Sequence, residues 1–411
     1  MKILILSVSA GGGHAKAAES LKQYIKLNNA NSDIKIVDTL KYINPLIDKV
    51  VIGSYLKTIK VSPALFGKMY SNTEDDDGLT SFITSNFNKM MTLKLFPFIK
   101  EYNPDVIVST HPFPAEMVSI MKEKGKFNIP CVTILTDYGS HGTWIQKNTD
   151  RYIVSNSDMI EEMVDKGADS RKIFDYGIPV KPEFFKKFNR KETLKSLDLD
   201  PNKITLLMMG GSLGIGKISS IYKKLMNLED DIQIIVITGN NKKLYSELDK
   251  LKTSAKNKTK VIGFTNKVNK YMQCADVLLT KPGGLTITEA LICNLPMAIF
   301  SPIPGQEEKN ARFLLKNNLA ININSIDNAP DEIHKLLSSE NKLKSMKHNC
   351  SIFSKPNCGN DIYNLLNSLI ESKKSSGYNN NIYFDDNPKD TNTFFKSIEQ
   401  HFLKTAQKFL L

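Results

Sequence analysis

A chain of 411 residues with 41% hydrophobic and 24% charged residues can build two or three packed domains, so bulk disorder is excluded. The formal net charge of +12 leaves three kinds of anionic partner open: nucleic acid, an anionic membrane surface or a phosphorylated ligand. Five cysteines, odd in number and without C-x-x-C or Cys/His ligand spacing, read as reduced thiols; secretion, a disulfide scaffold and structural zinc are set aside.

In chain order, MKILILSVSAGGGH reads as a strand running into glycines rather than as a signal peptide. Strands are predicted at 2–8, 34–38, 105–110, 131–136 and 151–155, with helical patterns between them. A Pro-containing stretch at 177–183 reads as a hinge. The alternation then restarts with strands at 204–210, 232–238, 260–264, 276–280, 297–301 and 320–324. Such alternation predicts an α/β fold of parallel sheets, and two glycine-ended strand-to-helix turns, near 9–14 and 210–216, predict two doubly wound domains.

Two regions stand outside the alternation. Residues 41–100 form an insertion in which lysines are interleaved with large apolar side chains, a pattern that suits lobe core and also an interfacial surface meeting anionic lipid. A polar stretch at 371–393 precedes a segment in which Phe395, Ile398, Phe402, Ala406 and Phe409 recur at helical spacing. No apolar run approaches the roughly 20 residues needed to span a bilayer.

Gly11-Gly12-Gly13-His14 follows the first strand and opens a helix with Ala17, Leu21, Tyr24 and Ile25 on its apolar face. Glycines let backbone approach a ligand, and a helix N-terminus favours negative charge. The same residues also suit a tight turn alone, and their spacing is not G-x-G-x-x-G. His111 in STHPFP and Asp137 in LTDYGSH fall just past the carboxyl ends of two strands, on the crest where open α/β sheets carry their sites. With His14 they put three titratable groups on one edge, and His141 is a fourth candidate. Helix capping by Asp137 and a packed, satisfied His111 are the alternatives.

Gly210-Gly211-Ser212-Leu213-Gly214 repeats the phosphate-cradle pattern with a hydroxyl added. LLTKPGGLTITEA supplies Lys281-Pro282-Gly283-Gly284, then Thr286 and Glu289. Backbone N–H groups there face an anion, and Glu289, about one turn into the helix, is placed to accept from a vicinal diol such as ribose or to serve the helix dipole. Pro302-Ile303-Pro304-Gly305-Gln306-Glu307, with Asn310 one turn later, is a stiffened loop whose side chains suit sugar hydroxyls. Asp75-Asp76-Asp77 follows no strand and reads as a solvated acidic run rather than a metal-binding D-x-D.

GGGHAKAAESL, THPFPA, LTDYGSHGTW, YGIPVKPEF, MGGSLG, VIGFTNKV, ADVLLTKPGGLTITEAL and PIPGQEEKNARFL occur in that order. So arranged, the chain resembles the diacylglycerol glycosyltransferases of glycosyltransferase family 28, which comprise the processive glucosyltransferases of Gram-positive bacteria and the plastid monogalactosyldiacylglycerol synthases. The similarity runs over residues 1–370. It implies a GT-B fold, two Rossmann-like doubly wound domains facing a cleft, and an inverting reaction with no bound metal or other cofactor. It assigns 1–180 to the lipid acceptor and membrane contact and 181–370 to the UDP-sugar; 371–411 lies beyond it and reads, from its own pattern, as a polar linker and an amphipathic helix. An acceptor held in a bilayer favours the interfacial reading of the 41–100 insertion.

Carried over residue by residue, the resemblance puts the uracil on backbone around Gly263 and Phe264 and the ribose on Glu289. The diphosphate falls to Gly211, Ser212, Gly284, Leu285 and Thr286, with Gly13 and Gly283 in the same kind of glycine turn. Gln306, Glu307 and Asn310 lie near the donor sugar, and His14 lies beside the anomeric carbon. The implied reaction is attack by the primary hydroxyl of diacylglycerol on C1 of UDP-glucose or UDP-galactose, giving a β-glycoside. A base must take the hydroxyl proton: His14 or Asp137, with His111 as a further catalytic candidate. The implied partners are a UDP-sugar, diacylglycerol and anionic membrane lipids, without nucleic acid, for a peripheral protein on the inner face of the plasma membrane.

Four other readings compete, one of them a non-catalytic regulator on the same fold, against which the presence of His14, Glu289 and Gln306 argues. The transferase that adds N-acetylglucosamine to lipid I shares the lobes and a glycine loop with histidine, but the long insertion and the KPGG…PGQE form fit the diacylglycerol branch better. An NAD(P)-dependent oxidoreductase would require the missing G-x-G-x-x-G. A nucleic-acid module is motivated by charge alone.

Overall fold

The computed structural model describes residues 1–9, 12–43, 92, 94–210 and 217–375. Within them two parallel six-stranded sheets form the cores of two lobes. The first holds β1 (Lys2–Ser7), β2 (Asp33–Asp38), β3 (Val106–Ser109), β4 (Cys131–Ile134), β5 (Arg151–Ile153) and β6 (Ile173–Phe174), in the order β2-β1-β3-β4-β5-β6. The second holds β7 (Ile204–Met209), β8 (Ile232–Ile237), β9 (Thr259–Ile262), β10 (Val277–Thr280), β11 (Met297–Phe300) and β12 (Ala320–Ile323), in the order β12-β11-β10-β7-β8-β9. The two-residue β6 is too short to show a period in sequence; pairing with β5, Tyr152 opposite Ile173, creates it.

Strands covered on both faces by helices are predominantly apolar rather than alternating, and every residue of β3, β4, β10 and β11 is buried. The pleat still divides them. Ile3 and Ile5 of β1 face one cluster with Ala18, Leu21 and Ile25, whereas Leu4 and Leu6 face another with Leu95, Ile99, Met117 and Met121. In the second lobe Leu207 and Met209 divide from Leu206 and Met208 in the same way.

One boundary differs from the sequence expectation. The helix Cys358–Ser375 returns to the first lobe, where Cys358, Ile362, Leu365, Leu366 and Ile370 join the cluster of Ile3, Ile5, Leu21 and Ile25. Residues 358–370, expected in the second lobe, therefore pack on the first. A methyl at Gly359 would run into the Tyr24 ring, so glycine lets the two helices close. The two crossings between lobes touch. Gly177, at φ 95°, leaves room only for hydrogen beside Lys355, and Lys355 Nζ pairs with Asp175 at 2.8 Å. Most of the 41–100 insertion, with its proposed membrane face, and the 394–411 amphipathic segment lie outside the described residues.

In each sheet the strand order reverses once, between β1 and β3 and between β10 and β7. Ligands of open α/β sheets bind at such switch points, off the carboxyl ends of the strands. The loops there are Gly12–His14 and Thr110–His111 in the first lobe, and Lys281–Gly284 in the second.

Candidate active site between the lobes

His14 is the second residue of the helix Gly13–Asn28, which begins after Gly12 in the left-handed region at φ 80°. A chain with a Cβ would be strained there, and the turn delivers the imidazole to the crest. Its Nδ1 lies 2.7 Å from the carbonyl oxygen of Thr110 and 2.8 Å from Thr136 Oγ1. A carbonyl only accepts, so Nδ1 carries the hydrogen and Nε2 holds the lone pair. Burial lowers the His14 pKa to about 4, partly opposed by the Thr110 hydrogen bond, so the ring is neutral at physiological pH.

His111 has a different role. It N-caps the helix Pro112–Glu123, its Nδ1 accepting from Phe113 N at 3.2 Å, and it meets His14 edge-on with ring centroids 4.6 Å apart. Trp144 stands 6.2 Å from His14 and 6.5 Å from His111. Desolvation, then the proximity of His14, holds the His111 pKa well below the usual histidine range. Together the three rings form one aromatic cluster. His141 is drawn away, capping the short helix Gly142–Trp144 through Thr143 N.

Asp137 sits where the lobes meet. Its Oδ1 accepts from Asn310 Nδ2 at 3.1 Å and its Oδ2 from Gln306 Nε2. Asn310, wholly buried, also donates to the carbonyl of Pro282 at 2.9 Å and accepts from Tyr138 N at 2.6 Å. Every polar atom of the Asn310 amide is thus engaged in holding Asp137–Tyr138 against the second lobe. Desolvation raises the Asp137 pKa to about 6, with the two amide donors opposing. Nearby, Lys309 Nζ donates to Ser140 O at 2.8 Å, and Tyr138 OH and Thr288 Oγ1 are 2.9 Å apart.

The second lobe seats its Pro-Gly-Gly turn directly on this loop. A methyl on Gly284 would overlap the Thr136 carbonyl oxygen and lie 3.1 Å from the Asp137 Cα. Gly284 opens the helix Gly284–Ile292, on which Leu285 is buried, Thr286 is half-buried and Glu289 is only 9% exposed. Desolvation raises the Glu289 pKa to about 7, while Lys16 of the first lobe and Lys181 of the crossing pull it down. Glu307 accepts from Ile303 N at 2.7 Å and stands 4.0 Å from Lys281 Nζ. Gly283 borders Gly284 with open space around it, and so does Gly13 beside His14. Gly263 and Phe264 follow β9 apart from this cluster; Phe264 is 66% exposed. Gly211 and Ser212 lie outside the described residues.

The structure therefore gathers His14, His111, Asp137, Gly284, Gln306 and Asn310 at one junction. Sequence reasoning missed Thr110, Thr136, Tyr138 and Trp144. Thr136 adjoins Asp137 in LTDYG, and Trp144, the single tryptophan, lies three residues past His141.

Residues 14–180 match the monogalactosyldiacylglycerol (MGDG) synthase family, and 205–360 match the glycosyltransferase family 28 C-terminal domain. A processive diacylglycerol β-glucosyltransferase of Bacillus pumilus is 30% identical over 348 residues, 85% of this chain and 90% of that protein. The chain belongs to the processive diacylglycerol β-glucosyltransferase family. Solved structures place this family member in the GT-B fold, as the resemblance implied. The glycotransferase of kitacinnamycin aligns at TM-score 0.60 and 13% identity, over 90% of this chain and 99% of its own. MurG of Acinetobacter baumannii aligns at 0.57 and 15%, over 89% and 99%. No helix among the described residues of this glycosyltransferase is long and apolar enough to cross a membrane.

Proposed function

We propose that the protein transfers glucose from UDP-glucose to the free hydroxyl of diacylglycerol with inversion at C1, working as a peripheral protein on an anionic membrane face. The observation that carries this is the neutral His14, whose Nδ1–H is spent on Thr110 and whose Nε2 is therefore the basic atom at the switch point. In the proposed step the acceptor oxygen bonds to C1 and its proton passes to His14 Nε2. The C1–O bond to phosphate breaks with its electron pair leaving on UDP, and the product is the β-glycoside.

Gly283 and Gly284, with Thr286, present the helix N-terminus to the departing diphosphate, for which the sequence also offers Gly211 and Ser212; Glu289 takes the ribose and Gly263 and Phe264 the uracil. Gln306 and Glu307 take the donor sugar. Asn310 and Asp137 are read as the clamp between lobes, because their polar atoms already satisfy one another. This makes His14 the base in preference to Asp137. Metal independence belongs to the same proposal, the diphosphate charge being met by backbone N–H groups at helix N-termini.

The test is to incubate the protein with radiolabelled UDP-glucose or UDP-galactose and dioleoylglycerol in vesicles with and without phosphatidylglycerol, after EDTA treatment, and to separate the lipids by thin-layer chromatography. β-Glucosyl diacylglycerol formed from UDP-glucose is the expected product. Label transferred to neither lipid, or activity recovered only with added magnesium, would defeat the donor–acceptor assignment or the metal-free claim respectively.

A further inference from the structure

Thr136 has no assigned role, yet two features of one residue face both halves of the site. Its hydroxyl oxygen is 2.8 Å from His14 Nδ1. Its carbonyl oxygen occupies the place where any side chain on Gly284 would start. The residue is 4% exposed, and its neighbour Asp137 is held by Gln306 and Asn310, so the loop it belongs to is fixed by the second lobe.

The hydrogen bonding at Nδ1 is asymmetric. If the proton were on Nε2, Nδ1 would point a lone pair at the Thr110 carbonyl 2.7 Å away, two acceptors in contact. With the proton on Nδ1, the Thr110 carbonyl and the Thr136 hydroxyl both accept from it. Thr110 belongs to the first lobe and is itself anchored, its Oγ1 donating to Ser7 Oγ at 2.9 Å. The Thr110 bond is therefore intrinsic to the first lobe, whereas the Thr136 bond depends on a loop seated against the second. Taking His14 as the base, as in the function proposed above, we infer that Thr136 is a positioning residue. Its hydroxyl completes the Nδ1 contact of the base and its backbone is the seat of the donor lobe, so that lobe contact and base orientation are set by one residue. The imidazolium formed when Nε2 takes the acceptor proton is stabilised by the same second acceptor.

The experiment uses the full chain labelled with 15N-histidine, with two-bond 1H–15N correlation spectra to identify ring tautomers. Six histidines are present, and the His14→Asn variant identifies the His14 signals by their loss. The wild-type spectrum is expected to show His14 protonated on Nδ1. Thr136→Val, which keeps the shape and removes the hydroxyl, is expected to shift the Nδ1 resonance. It should also lower kcat about tenfold, as for one lost hydrogen bond, with KM for UDP-glucose within about twofold. Thr136→Ser is expected to restore both. Gly284→Ala, in the other lobe, is expected to move the same resonance by unseating the loop.

A wild-type ring protonated on Nε2, a Thr136→Val protein with unchanged Nδ1 shift and kcat, or a Ser variant no better than Val each overturns the positioning role. A Gly284→Ala protein with an unchanged His14 spectrum overturns the coupling between lobes. Absence of glucosyl transfer by the wild type would strike the proposed function alone, because the tautomer and its response to substitution are read without substrate.

Discussion

Asp137→Asn separates a clamp from a base, through both stability and rate. The folded Asp137 titrates at about 6, against 3.8 for the free side chain, because burial outweighs its two amide donors. A carboxyl whose folded pKa is raised stabilises the fold below its unfolded pKa, and that contribution is lost as pH rises through the folded value. Two-odd pH units at 1.36 kcal/mol each come to about 3 kcal/mol, incurred between pH 3.8 and about 6 and complete by pH 8. Asparagine cannot ionise and so escapes this penalty, but it meets Gln306 and Asn310 with one acceptor fewer. The protonated Asp137 of the wild type at pH 4 has the same shortfall, so the two proteins are closely matched there.

The stability of Asp137→Asn relative to wild type is therefore expected to improve by about 3 kcal/mol between pH 4 and pH 8. His14 runs the other way, its depressed pKa removing stability as pH falls from 6.5 towards about 4. It does so in both proteins and cancels in the comparison. Urea unfolding of the two proteins at pH 4, 6 and 8, followed by tryptophan fluorescence, measures the difference. A gap that stays constant with pH, or that widens against the variant at pH 8, refutes the account of Asp137 as a buried, reluctantly ionised clamp. The kinetic counterpart is a kcat lowered less than about tenfold, since the base is untouched; a loss as deep as that from removing His14 returns the base role to Asp137.

The other predictions concern the base and two close approaches. His14→Asn is expected to lower kcat about a thousandfold at unchanged melting temperature at pH 7.5; a loss below tenfold in steady-state transfer assays would remove His14 from the chemistry. Gly284→Ala forces the donor lobe off the Thr136 carbonyl, and a displacement of ångström scale is expected to cost about a hundredfold in kcat/KM, so an alanine variant within threefold of wild type contradicts the seating. Gly359→Ala drives a methyl into the Tyr24 ring and is expected to destabilise the protein by about 1–3 kcal/mol, read as a lower urea midpoint. An unchanged midpoint would mean that the closing helix does not depend on that contact.

Much of the fold is legible in the sequence because a parallel strand buried on both faces is a local pattern. VIVS, CVTI, VLLT and MAIF announce themselves as apolar runs bounded by turn residues, and eleven of the twelve described strands were expected within two residues at either end. The exception, Ile173–Phe174, exists only through its neighbour β5. The crest residues were equally legible, since a residue just past a strand in an α/β unit has one place to go. Their partners were not. His111 and Asp137 look alike in sequence, each a polar residue after a strand. In the fold one caps its own helix, and the other is held by amides 169 and 173 positions away.

The sequence by itself determined two lobes, the glycine turns that open their helices, and a net charge of +12 suited to anionic ligands. These follow from periodicity, turn chemistry and composition, all of which act over a few residues. Tertiary structure alone decided which nitrogen of His14 carries the proton, since that is set by a carbonyl 96 residues away. It decided that Asn310 is spent on Asp137 and Tyr138, and that the helix Cys358–Ser375 closes the first lobe instead of extending the second. An amphipathic face states that it will be buried; which surface buries it depends on where the chain has already placed the two sheets.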